Sequence, residues 1–168
     1  MPIPNIQQPD ILIIDDTLRL RKYDGNFDFA WGWYQDEETL LLVDGDTRPF
    51  DYKRLETMYT YLDAHGELYF IEAMQDGTYV PIGDVTFSQQ DMPIVIGDKQ
   101  FRAKGIGRRV IAALVTRAKQ LGYSYLLIDE IYDYNIGSRK MFESVGFYPF
   151  ESKGKGHRYR LDPTDTAN

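Results

Sequence analysis

The chain has 168 residues, 43 % apolar and 14 % aromatic, the size and composition of one globular domain and not of a disordered or fibrous protein. It lacks cysteine, which excludes disulfides, thiolate metal sites and a cysteine nucleophile, and with two histidines, His65 and His157, no histidine-rich metal site is expected. A formal net charge of −7 argues against nucleic acid as a partner, and no apolar run reaches the roughly 18 residues of a membrane span. The N-terminus has no signal-peptide pattern, so the expectation is a cytoplasmic protein with no membrane partner, as a monomer or homodimer.

Residues 1–9 carry three prolines and little pattern and are expected to form a loose arm. Ile11–Ile14 and the alternating Leu18–Arg21, separated by Asp15-Asp16, predict a strand pair. Asn26 is placed to cap a short helix through Phe27, Ala30, Trp31 and Tyr34. Thr39 to Val43 is a short apolar run that ends at the turn signal Asp44-Gly45-Asp46. Pro49 is expected to open a helix that runs to about Ala64, with Leu55, Met58, Tyr59 and Leu62 on its apolar face. Strands over 67–74 and 79–88 are joined by Asp76-Gly77, a hairpin signal, and a third strand is expected over 92–96.

Ile106, Val110, Leu114, Ala118 and Leu121 form the stripe of a further helix, stopped at Gly122. Tyr123 to Ile131 reads as a strand buried on both faces. Asn135 begins the last helix and Gly146 ends it. Residues 147–151 and 157–161 form a closing strand pair around Ser152-Lys153-Gly154-Lys155-Gly156, a plain solvated hairpin, and residues 163–168 are expected to be a disordered tail. The element order gives an α/β class, a mixed α+β sheet in a single domain over 1–168.

Charge is divided along the chain. Residues 1–96 hold 6 basic and 18 acidic residues, a balance of −12; residues 97–168 hold 13 and 8, a balance of +5. Seven basic residues lie between Gly97 and Gln120, beside one acid, Asp98. This pattern points to an anionic cofactor at the basic segment and, at the acidic half, either to a cationic substrate or to a surface that only keeps the chain in solution.

The basic segment contains Phe101-Arg102-Ala103-Lys104-Gly105-Ile106-Gly107-Arg108-Arg109, between a strand and a helix. The free N–H groups and positive dipole end of a helix start make an anion site, and glycine lets a ligand approach the backbone. The Rossmann fingerprint fails because Val110 stands where its third glycine belongs, and the G-K-S/T of a P-loop is absent. About thirty residues on comes Asn135-x-x-Ser138-x-x-x-Phe142-x-x-x-Gly146-Phe147, in which Asn135 also serves as a plain helix cap.

Together these two segments resemble the GCN5-related N-acetyltransferase (GNAT) superfamily. Arg102 to Gly107 is similar to its Q/R-x-x-G-x-G/A loop, and Asn135 to Phe147 to its N-x-x-A/S-x-x-x-Y-x-x-x-G-F segment. Ile94 to Lys99 is similar to the branch with ribosomal-protein, polyamine and aminoglycoside 6′-N-acetyltransferases. The resemblance implies the acyl-CoA N-acyltransferase fold, a central, mostly antiparallel sheet flanked by helices. It also implies acetyl-CoA as co-substrate, no metal, and direct transfer to a primary amine.

Residue by residue, it implies that Ile94 and Ile96 pair with the pantetheine arm. Arg102, Ala103, Lys104, Gly105, Ile106, Gly107 and Arg108 surround the pyrophosphate. Asn135 hydrogen-bonds the arm or a catalytic water, and Ser138 and Phe142 line the arm further along. The chain departs from the family pattern at Phe142, where a tyrosine usually protonates the departing thiolate; a phenyl ring has no proton to give. That role passes to Tyr132, to Tyr134 or to solvent. Glu130, five residues before Asn135, is the first candidate for the base, with Asp84 and Asp133 behind it; in a regular strand Asp129 points to the other face. Trp31, Trp33 and Tyr34, with Asp36, Glu37 and Glu38, either belong to the core or wall a cationic substrate site. The expected acceptor is a small cationic amine such as an aminoglycoside or polyamine; the alternatives are a protein N-terminal or lysine acetyltransferase and a CoA-binding module without turnover.

Overall fold

A computed structural model describes residues 1–163. The chain divides into two compact units, Met1–Thr86 with Ile94–Arg102, and Phe87–Pro93 with the chain from Ala103 onward. Of the tail expected over 163–168, Pro163 is buried, and the remainder lies outside the described residues.

The first unit is built on a five-stranded sheet in the order β1-β2-β3-β4-β5, with β1 Ile11–Asp15, β2 Leu18–Lys22, β3 Glu67–Gln75, β4 Thr78–Phe87 and β5 Ile94–Ile96. The β1–β2 hairpin is closed by Asp15, whose Oδ1 accepts from the backbone N and the hydroxyl of Thr17 at 2.9 and 3.0 Å. Asp76 and Gly77 both have positive φ, 51° and 80°, the conformation that a two-residue hairpin turn needs. The arm at 1–9 is anchored at its end, where buried Gln8 donates to the Leu68 carbonyl at 2.9 Å.

Three helical segments differ from the sequence reading. Residues 28–35 form a 3-10 helix whose cap position is Phe27, with no side-chain cap; Asn26 instead donates its backbone N–H to Asp24 Oδ1 at 2.9 Å. The apolar run at 39–43 is part of a helix, α1 Glu37–Asp44, because Asp36 caps it by accepting from Thr39 N. The following helix, α2 Tyr52–His65, starts later than Pro49, since the cap is Asp51, which accepts from Arg54 N at 2.7 Å.

The second unit contains α3 Ile106–Gln120, β6 Leu126–Tyr132, α4 Ile136–Val145, β7 Tyr148–Lys153 and β8 Gly156–Leu161, with strands in the order β6-β8-β7. Ile106, Val110, Ile111, Leu114, Val115 and Ala118 are buried on one face of α3. Gly122 and Gly146, at φ 79° and 118°, follow α3 and α4 as the helix stops expected from the sequence. The fold class is therefore α/β with antiparallel pairing and flanking helices. The strands are, however, divided between two sheets, the break falling between β5 and β6.

The core of the first unit is aromatic: Phe27, Trp33, Tyr34, Phe50, Tyr59 and Phe70 pack with Ala30, Leu40, Leu55 and Leu68. Asp84 of β4 sits there, 3 % exposed, and its Oδ2 accepts from the Tyr34 and Tyr59 hydroxyls, each at 2.8 Å. Burial pushes its carboxyl up to about 6, against the two phenol donors that pull it down. The folded state thus holds the Asp84 proton more tightly than the unfolded chain. This contribution is complete below the unfolded pKa near 4 and is lost as pH rises through about 6, roughly 3 kcal/mol in all. Asp84→Asn, which keeps an acceptor for both tyrosines, is expected to remove this part of the pH dependence. Urea unfolding of both proteins at pH 4.5 and 7.5 checks it; the same pH dependence in the two proteins would refute it.

Candidate active site

In the first unit, β5 is the edge strand of its sheet. Its register on β4 pairs Gly83 with Ile96, Asp84 with Val95 and Val85 with Ile94. Gly83 is required for this approach: a Cβ there would stand 2.1 Å from the Val95 carbonyl oxygen. Beyond β5, the N–H groups of Gly97 and Asp98 both donate to the Ile82 carbonyl, at 2.8 and 3.0 Å. A Cβ on Gly97 would strike the Trp33 ring, at 2.2 Å from Cγ. Ile94 and Ile96, the residues expected to pair with the pantetheine arm, thus stand half-buried on the last strand of the sheet, whose outer edge pairs with no other strand of that sheet.

Arg102 ends this unit, and its side chain turns inward. Nε donates to the Ile96 carbonyl at 2.8 Å, and Nη2 donates to the Thr39 hydroxyl. Nη1 is buried without a hydrogen bond, 4.0 Å from an Asp36 carboxylate oxygen and 3.9 Å from one of Glu38. Lys99 Nζ lies 2.7 Å from the other Asp36 oxygen. The Lys99 hydrogen bond, with the Thr39 backbone N–H behind it, holds the Asp36 carboxyl down at about 2. Of the aromatic and acidic group at 31–38, Tyr34 and Trp33 are core residues, while Trp31, Glu37 and Glu38 are exposed.

In the second unit, the glycine loop enters α3 through two positive-φ residues, Ala103 at 59° and Gly105 at 76°, on either side of Lys104. Gly105 occupies the cap position of α3, so no side chain caps the helix start. Nothing lies within 4 Å of where its Cβ would be, so the glycine is demanded by backbone conformation and not by crowding. Ile106 is buried, Gly107 half-buried, and Lys104 and Arg108 exposed. Successive amides at such a turn, next to an uncapped helix start, make an anion-binding concavity.

At the other end of this unit, β6 is not regular. Ile128 pairs with Tyr159 and Ile131 with His157, so that two residues of β6, Asp129 and Glu130, stand against one of β8, Arg158. The bulge at Asp129 and Glu130 voids the alternation expected there. Both carboxylates meet the β7–β8 hairpin: Asp129 Oδ1 receives Lys153 Nζ at 2.6 Å, and Glu130 Oε2 receives the Lys155 backbone N–H at 3.0 Å. The Gly154–Gly156 turn is therefore a partner of the strand end, and Gly154, φ 54°, leaves room for Glu130, whose Oε2 would lie 2.6 Å from a Cβ.

Tyr132 and Tyr134 stack at 5.3 Å, and Tyr134 is 44 % exposed. Burial, with the nearby Glu130 charge behind it, raises the Tyr134 hydroxyl, which is protonated at neutral pH and can donate. Asn135 Oδ1 caps α4 by accepting from Ser138 N at 3.1 Å. Ser138 is half-buried, whereas Phe142 is 3 % exposed and packs edge-on against Phe147 at 5.3 Å, a core contact. Asp133, the other candidate base in this unit, is paired with His157 Nδ1 at 2.8 Å. Sequence reading assigned His157 no contact, since its partner lies 24 residues away on another element. Among the described residues, no group of three His, Asp or Glu side chains is placed to hold a metal ion, and no helix is long and apolar enough to cross a membrane.

Residues 27–147 match the model of the Acetyltransferase (GNAT) family. Solved structures of similar shape include the acetyltransferase (GNAT family) from Bacillus anthracis, with a TM-score of 0.73 and 12 % identity over 92 % of this chain and 99 % of that one. The aminoglycoside acetyltransferase AAC(6')-Ib, in complex with paromomycin and acetyl-CoA, gives 0.70 and 13 %, over 90 % and 98 %. A ribosomal L7/L12 α-N-protein acetyltransferase in complex with coenzyme A gives 0.68 and 16 %, over 90 % and 97 %. No curated protein matches the sequence significantly. The fold expected from the sequence is the fold of these structures.

Gly105→Ala puts a side chain in a left-handed conformation and is expected to destabilise the protein by about 1 to 2 kcal/mol. Urea denaturation measures it; an unchanged midpoint would mean that the loop does not hold this conformation.

Proposed function

Because the chain belongs to the acetyltransferase (GNAT) family and is an acetyl-CoA-dependent enzyme, we propose that its acceptor is a primary amine on a cationic small molecule, such as an aminoglycoside or a polyamine. The observation that carries this reading is the charge division, −12 over residues 1–96 against +5 over the remainder. In the first unit, exposed Glu37, Glu38 and Trp31 offer carboxylates and an aromatic face to an ammonium group.

The loop from Ala103 to Arg108 holds the pyrophosphate through its amides, with Lys104 and Arg108 adding charge. The edge of β5, at Ile94 and Ile96, pairs with the pantetheine arm, and its N–H groups steady the oxyanion. Asn135 and Ser138 line the arm. Phe142 contributes from the core as support for α4, since it is buried.

Transfer needs two protons to leave the nitrogen. Glu130 takes the first from the ammonium, and the amine lone pair then forms the C–N bond at the thioester carbonyl. The C–S bond breaks with its electron pair on sulfur, Tyr134 gives its proton to the thiolate, and the second nitrogen proton restores the phenol. One proton ends on the CoA thiol and one passes from Glu130 to solvent.

Thiol release from acetyl-CoA, measured over a panel of aminoglycosides, polyamines, lysine peptides and free N-terminal peptides, tests the acceptor class. Cationic small molecules are expected to give the highest kcat/KM; a preference for peptides would establish a protein acetyltransferase instead. Glu130→Gln is expected to lower kcat about 100-fold at neutral pH with acetyl-CoA affinity unchanged. A wild-type rate would remove Glu130 from the reaction.

A further inference from the structure

The side chain of Arg102 does not extend toward solvent as a phosphate ligand would. It joins two pieces of its own unit: the exit of β5, through the Ile96 carbonyl, and the first turn of α1, through Thr39. Thr39 is 2 % exposed and lies inside a closed arrangement. Its hydroxyl accepts from Arg102 and donates to Asp36 Oδ2 at 2.9 Å, and the same oxygen accepts the Thr39 N–H at 3.0 Å as the helix cap. Lys99, three residues before Arg102, binds the other Asp36 oxygen at 2.7 Å. The first turn of α1 is thus held by Lys99 and Arg102, two residues of the segment that follows β5.

Such a junction has a thermodynamic consequence. The Ile96 carbonyl that Arg102 holds belongs to β5, the edge strand read above as the partner of the pantetheine arm. A ligand that pairs with β5 restrains Ile96, and Arg102 carries that restraint to α1. Any effect of β5 on α1 is matched by an equal effect of α1 on β5.

We propose that Arg102 is a positioning residue that couples β5, the edge that takes acetyl-CoA, to the N-terminal turn of α1, where Glu37 and Glu38 receive the cationic acceptor. This rests on the reading of β5 and the acceptor given above. In this role the guanidinium acts through Thr39 and Asp36, and the pyrophosphate is left to the backbone amides and to Lys104 and Arg108.

The test is a double-mutant cycle on acetyl-CoA binding, measured by calorimetry without acceptor. Thr39→Val removes the hydroxyl at nearly constant shape; Thr39→Ser keeps it. Thr39→Val is expected to weaken acetyl-CoA binding on the order of fivefold, and Thr39→Ser to leave it at the wild-type value. Arg102→Gln is expected to weaken binding similarly, and adding Thr39→Val to it to change nothing further. Acceptor KM follows the same order. A merely stabilising contact would lower Tm in the Val variant without moving the dissociation constant of the folded protein. Wild-type affinity in Thr39→Val, or losses that add in full in the double variant, would overturn the coupling. If acetyl-CoA binding obeys the cycle while the wild-type protein acetylates no cationic amine, the acceptor class is overturned and the coupling to β5 stands. A wild-type protein that does not bind acetyl-CoA would overturn both.

Discussion

One carboxylate oxygen organises the first unit. Asp84 Oδ2 receives two buried phenols, Tyr34 from the 3-10 helix and Tyr59 from α2, and so fastens both to β4. A buried carboxylate without such donors would be strongly unfavourable, and two phenols facing an apolar wall would each lose a hydrogen bond. The three groups therefore require one another. Val95 pairs with Asp84 in the ladder, so the strand that leads to the glycine loop takes its register from the same residue. The aromatic packing of Phe27, Phe50 and Phe70 closes around this polar centre and excludes water from it.

What could be read from the sequence is what is decided locally. Asp76-Gly77 specifies a turn whatever surrounds it, since few other pairs accept two positive φ angles. Gly122, Gly146 and the Asn135 cap announce helix ends for the same reason. The glycine loop is legible as a helix entry because its signal, Gly105 and Gly107 ahead of an amphipathic stripe, is local, and the structure has Gly105 at the α3 cap position. By contrast, Thr39 and the four apolar residues at 40–43 fit a strand or a helix equally well, and the choice is made by Asp36 just outside the run. The β6 bulge is invisible in a sequence, as it exists only relative to β8.

The side-chain roles followed the same division. Spacing from Asn135 singles out Glu130 as a candidate, but its bond to the Lys155 amide depends on a hairpin 25 residues on. Arg102 was legible as part of a motif, whereas the destination of its guanidinium, 63 residues away at Thr39, was not. Phe142 shows the limit of motif matching from the other side. Its position in the segment implied a place along the cofactor arm, and its apolar ring is satisfied in the core against Phe147. A motif gives the backbone position, and the chemistry of the side chain decides which way it faces.

The packing of Trp33 over Gly97 also gives the molecule an optical signature. The chain has two indoles in unlike surroundings: Trp33 is 9 % exposed, among aromatic rings and against the backbone at the exit of β5, and Trp31 is 39 % exposed. Their fluorescence is therefore separable, a blue-shifted emission shielded from soluble quenchers and a red-shifted one open to them. Because Gly97 leaves the Trp33 ring no clearance, any displacement of that backbone changes the shielded component, and the native protein reports on this segment without an added label.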